Sequence, residues 1–176
     1  MVLVRVAMSA PFFLVSGAED KREEALERVK ESARLSLTCN PYSATSWTML
    51  AWAELLTSGD TDLVLTYFDM SYATGPLEFL AALRRVELAI ALWHELDESH
   101  KIMVADHMRR IVEAHGYMFA AGFYAGMTDD ARKLVRDTFA EHLNEVQQKR
   151  VEAAIWRMDL SIDLPLVPPR GSRPWR

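Results

Sequence analysis

The chain has one cysteine, Cys39. An internal disulfide and a CxxC metal knuckle are therefore excluded, and a single thiol fits cytosol and periplasm equally. No stretch is long enough to span a bilayer. A spanning helix needs about 20 apolar residues, and the uncharged run Val6–Ala18 is 13 residues long and interrupted by Pro11. An excess of positive charge is also missing. The formal net charge is −5, a balance that repels phosphate backbones, so nucleic acid is not expected as a partner. GxSxG, P-loop and GxGxxG patterns are absent, which removes the usual hydrolase, nucleotide-hydrolysing and dinucleotide sites. Period-two alternation of the kind strands need is absent too.

What is present is helical. In 176 residues there is room for one domain and a tail. From Glu19 to Thr38, Ala25, Leu26, Val29, Ala33 and Leu37 share one face. Asn40-Pro41 ends that helix, because the residue before proline avoids the α region. Ser43 to Thr57 carries Trp47, Leu50, Ala51, Glu54 and Leu55 at helical spacing. Gly59 suits a left-handed cap, Asp60 or Thr61 can cap a helix over 62–73, and Gly75-Pro76 breaks the chain again. Leu77–Leu96 reads as one helix. Asp97 caps another over 98–114, with Ile102, Met103, Ala105, Met108, Ile111 and Val112 as its buried stripe. His115-Gly116 closes that helix, Tyr117–Met127 is short and uncharged, and Thr128 caps a helix running from Asp129 to about Met158, with a break near Gln147-Gln148.

The two ends differ from the middle. Residues 1–18 hold one charge, Arg5, then an apolar run and Ser16-Gly17-Ala18. They read as a secretory signal, a membrane-touching anchor or an arm packed on the domain. Residues 161–176 contain four of the seven prolines and three arginines, a composition for an extended tail. Residues 19–160 form the helical domain between these ends.

Asn40-Pro41, Trp47-x-x-Leu50-Ala51, Glu54, Gly59-Asp60 and Gly75-Pro76 together resemble a tetratricopeptide repeat (TPR). Pro41 and Pro76 lie 35 residues apart, against a repeat of about 34. Residues 19–38 resemble the second half of a preceding unit, and Leu77–Ala114 a degenerate following one. The run Asn40–Asp97, with Glu87-Leu88-Ala89, Leu92-Trp93 and Leu96-Asp97, is also similar to small bacterial TPR-like proteins found with exopolysaccharide or O-antigen export systems. The resemblance implies an all-α fold of antiparallel helical hairpins stacked as a short α-solenoid. It also implies a groove that takes a peptide or helix of another protein.

The expected function is therefore a non-catalytic interaction adaptor or accessory subunit of a larger complex, membrane and envelope complexes included, with no cofactor and no metal. A membrane-associated or periplasmic location is favoured over free cytoplasm, with peripheral contact through residues 1–18. A self-associating structural subunit and an enzyme with an unfamiliar site are the alternatives. Trp52 lies about 140° around its helix from Trp47, so it and Tyr67 are candidate partner contacts while Trp47 goes to the core. Phe119, Phe123 and Tyr124 join them from the apolar segment, where Gly122 and Gly126 have the spacing of close helix packing. Pro168 and Arg170 in a proline-rich pattern, and Trp175, join from the tail.

The histidines and carboxylates point less far. His100 and His107 are seven apart, with Asp106 beside one of them, but a metal site wants a closer pair, as in HExxH. Glu141, His142 and Glu145 on one helix are an arrangement any charged helix offers. Cys39 at a helix end, where the dipole disfavours a thiolate, reads as a small packing residue.

Overall fold

The computed structural model describes residues 19–158. They form eight helices and, among the described residues, no strand. The chain divides into two compact units, the first ending at Glu95 and the second starting at Leu96.

The first unit contains α1 (Glu19–Cys39), α2 (Ala44–Thr57), α3 (Thr61–Thr74) and α4 (Phe79–Ala91). Local chemistry sets their ends. The Ser43 side chain accepts from the Ser46 backbone N–H, and the Asp60 side chain from that of Leu63, which satisfies N–H groups that no helical carbonyl can reach. Between them Gly59 takes φ +67°, a left-handed conformation that costs glycine little. Gly75 has a different reason to be glycine. Its φ is −155°, outside the left-handed region, but a Cβ there would lie 2.6 Å from the Ala44 Cβ, so the end of α3 closes directly on the start of α2.

The α2–α3 pair is an antiparallel hairpin with a polar seam. The Thr48 hydroxyl lies 2.6 Å from that of Ser71, which donates to the Ala44 carbonyl at 2.9 Å. Leu50, Ala51 and Ala53 of α2 and Val64 and Phe68 of α3 are buried. On the other side α1 lies antiparallel to α2, and buried Lys30 meets Glu54 at 3.1 Å. Alpha-4 runs alongside α2 in the same direction: Thr45 donates to Glu78 at 2.6 Å, and one to two turns further on the Trp52 indole donates to the Arg84 carbonyl.

The second unit contains α5 (Glu98–Glu113), α6 (Tyr117–Gly126), α7 (Asp129–His142) and α8 (Glu145–Arg157). Asp97 and Thr128 cap α5 and α7 with their side chains. Alpha-5 packs on α7, and α6 on α8. Val104, Met108, Ile111, Val112, Ala120, Tyr124, Val135, Phe139, Val151 and Ile155 make the core.

Several expectations are corrected. The helix expected over Leu77–Leu96 covers only Phe79–Ala91, followed by turns. Helices α7 and α8 are separated at Leu143-Asn144, not near Gln147-Gln148. Asn144 and Gln147 form a reciprocal capping box there, which makes a new helix start more favourable than continuation. Ile102, placed on the buried stripe, is 56% exposed. Trp47 is only half-buried; its indole donates to the Pro41 carbonyl and its ring lies beside that of Tyr67. Cys39 is exposed at the last residue of α1.

Candidate functional site

The second unit carries a groove that begins with the way α5 ends. The Gly116 N–H reaches the Ile111 carbonyl at 2.8 Å and the His115 N–H reaches that of Val112 at 2.9 Å, the paired bonds of a Schellman motif. The residue in the left-handed position is His115, with φ +64°, although glycine stands next to it. A branched-off side chain there costs about 1 kcal/mol or more relative to glycine. The His115 ring donates from Nδ1 to the Glu113 carbonyl and lies 5.9 Å from the Tyr117 ring.

Alpha-6 then starts without a side-chain cap. Its first turn leaves Met118 and Phe119 48% and 52% exposed. Alpha-8 supplies the opposite wall. Arg150 and Arg157 are seven residues apart and share a helix face, with Ala153 and Ala154 as a low floor between them. The Arg150 guanidinium stands 5.6 Å from the Tyr117 ring centre and donates to its hydroxyl at 3.4 Å. Tyr117 is thus held between a histidine and an arginine. The groove is open to solvent and holds about 360 Å³, within the range that accommodates small ligands or a few side chains. None of its lining residues is acidic.

A second concavity, lined by Tyr124, Phe139, Val151, Glu152 and Ile155, is nearly closed at about 10 Å³. Burial there raises the carboxyl pKa of Glu152 and the phenol pKa of Tyr124.

The residues expected to contact a partner are dispersed. In the first unit Trp52 is half-buried against α4, and Tyr67 is half-buried beside Trp47. In the second unit Phe119 stands at the groove and is exposed, Phe123 is half-buried, and Tyr124 is 1% exposed. Tyr124 is a core residue because it faces α7 and α8, with the Arg132 guanidinium 6.0 Å from its ring. Pro168, Arg170 and Trp175 lie outside the described residues, as does the whole segment 1–18. Gly122 is turned toward this chain's own α8: a Cβ there would meet the Met158 methyl at 3.7 Å.

Sequence reasoning missed His115, Arg150 and Arg157. The seven-residue spacing of the arginines was a signal, but it has no meaning until α8 is known to pack on α6.

The histidine and carboxylate clusters have structural duties. The Asp106 carboxylate is engaged by Arg109 and Arg110, each at 2.6 Å. His107 is sealed from solvent, and His100 Nδ1 lies 2.8 Å from the capping carboxylate of Asp97. Glu141 and His142 end α7, whereas Glu145 opens α8 and pairs with Lys149. The three do not share a helix. Among the described residues no group of three or more His, Cys, Asp or Glu side chains could hold a metal ion, and no helix is long and apolar enough to cross a membrane. No protein-family model, no curated protein and no solved structure matches the chain.

Proposed function

We propose that the protein is a non-catalytic interaction adaptor, an accessory subunit that binds a segment of a larger protein or complex. The observation that carries this reading is the α6–α8 groove, where Met118 and Phe119 remain about half exposed beside an open concavity of about 360 Å³. Large apolar side chains left in water next to a concave surface mark interaction sites. Methionine adds adaptability, since its unbranched thioether refits to different partners.

The first unit is consistent with a finer reading as a TPR-like stack. Its α2–α3 hairpin closes at Gly59 and again where Gly75 meets Ala44, and α4 follows alongside α2. That is the order in which a hairpin repeat lays the first helix of one unit beside the first helix of the next. Leu77 and Leu80, 71% and 68% exposed, give this unit an apolar edge of its own.

The test is affinity capture of the tagged chain from its native cell, with soluble and detergent-extracted membrane fractions kept apart. The expected result is stoichiometric recovery of one partner by the wild-type chain, with recovery reduced by a Met118→Ser/Phe119→Ser variant. Recovery of the chain alone from both fractions refutes the adaptor reading.

A further inference from the structure

The α6–α8 groove has a charge that the protein as a whole does not. The chain carries a net −5, yet the groove is bordered by His115, Arg150 and Arg157 and has no acidic lining residue. Neither arginine is engaged by a carboxylate among the described residues; Arg150 instead stands over the Tyr117 ring and donates to its hydroxyl. A guanidinium has five N–H donors in a fixed fork, so one bond to a hydroxyl leaves donors for a carboxylate. The opposite wall, Met118 and Phe119, is apolar and about half exposed.

We propose that this groove takes an acidic peptide segment of a partner protein, one that sets a carboxylate against Arg150 and Arg157 and an adjoining apolar side chain against Met118 and Phe119. This rests on the adaptor reading above and gives the partner its chemistry. The pairing of one anionic and one apolar contact follows from the two walls. A polyanion such as nucleic acid meets only the short cationic wall, and meets it on a molecule whose total charge repels it. A purely apolar helix leaves both guanidinium groups facing a desolvated surface without a counter-charge.

The probe is a capped peptide of glutamates flanking a central leucine–phenylalanine pair, titrated calorimetrically into the full-length chain beside a twin with lysine at every glutamate. The glutamate peptide is expected to bind, to weaken as salt is raised, and to lose about tenfold or more in affinity on Arg150→Glu/Arg157→Glu, as for charge reversal in a complementary interface. The lysine twin is expected not to bind. Both arginines are exposed, so the variant should keep its helical circular dichroism; an Arg150→Gln/Arg157→Gln pair gives a milder second reading in the same direction. Absence of glutamate-peptide binding, equal binding of both peptides, or indifference to the variants overturns the proposal. A cellular partner captured equally by wild type and by Arg150→Glu/Arg157→Glu removes the groove from the interaction and leaves the adaptor reading standing. Peptide binding as expected, with no cellular partner, supports the groove and removes the adaptor reading.

Discussion

Arg85 offers the sharpest test of how the first unit is held together. It lies on α4 with 0% of its surface exposed. Its Nη1 donates to the Ser71 carbonyl and to the Ser71 hydroxyl, both at 2.9 Å, and its Nη2 donates to the Gly75 carbonyl at 3.0 Å. The guanidinium also stands 5.8 Å from the Tyr72 ring centre. One side chain of α4 thus collects the carbonyls at the end of α3, where a helix has acceptors it cannot satisfy and carries a partial negative charge. Burial pushes its pKa down to about 10, with Glu78 acting in the opposite direction, so the group is still charged at neutral pH.

The cost of removing it depends on the replacement. Ser71 and Gly75 each keep a backbone partner for their carbonyl, from the Gly75 and Glu78 N–H groups respectively. Neither acceptor is therefore left wholly bare. Arg85→Met keeps most of the packing volume and removes the desolvation cost of the charge, so a loss of about 1–2 kcal/mol is expected. Arg85→Ala also opens a cavity and should cost about 3–5 kcal/mol. Arg85→Lys keeps the charge but cannot span Ser71 and Gly75 with one ammonium, which places it between the other two. The readout is native-state hydrogen exchange of the last-turn amides of α3, the Gly75 N–H above all, together with denaturant unfolding. An Arg85→Ala chain within about 0.5 kcal/mol of wild type, the range of ordinary surface changes, would refute the account.

Three further outcomes are expected. Gly75→Ala should cost about 1–3 kcal/mol through its clash with Ala44, measured by thermal unfolding, and Ala44→Gly in the same chain should recover part of the loss; additive losses would speak against the contact. Folding should weaken in acid. The Glu54 carboxyl is held below its ordinary range by the Ser58 hydroxyl first and by Lys30 as well, against burial, and Asp97 is held at about 2 by the His100 backbone N–H first, then by Ser99 and the His100 ring. A depressed carboxyl contributes stability that is present above its unfolded pKa and lost as pH falls through its folded pKa. The losses therefore begin below 4.5 for Glu54 and run from 3.8 to about 2 for Asp97. Glu54→Gln/Asp97→Asn should flatten the unfolding free energy measured across that window, and superimposable curves would contradict the assignment. His115→Gly should raise stability by about 0.5–1 kcal/mol by relieving the left-handed backbone, less the entropy that glycine adds to the unfolded chain; a loss of stability in denaturant melts would mean that the His115 ring contacts outweigh the strain.

Much of the secondary structure was legible, and for one reason. Helix ends are decided by side chains within three or four residues of each other, so Pro41, Gly59, Asp60, Gly75, Asp97 and Thr128 announce their roles locally. The break between α7 and α8 was legible in the same way, since Asn144 and Gln147 have capping-box spacing, but spacing of apolar residues drew the break to Gln147-Gln148 instead. Periodicity failed where a stripe is wider than the surface that covers it, as at Ile102, which is exposed.

The candidate site was less legible. Phe119 and its exposed neighbour Met118 lie in a segment whose apolar composition already marked it, whereas Tyr124 in the same segment is core. An uncharged helix has no polar face to say which side turns inward; its packing against α8 decides that. The same packing turns Arg150 and Arg157, otherwise two charges on an exposed helix, into one wall of a groove.

Nearest-neighbour chemistry along the chain thus determines the helices and the position of most of their ends. Contacts between one helix and the next decide the rest. An arginine on α4 terminates α3, Arg132 of α7 donates to the Tyr124 and Ala125 carbonyls that end α6, and Gln148 of α8 does the same for Phe139 and Leu143 at the end of α7. A long polar side chain can serve a backbone carbonyl or stay in water at little difference in energy, and only the place where the helices come to rest selects between them.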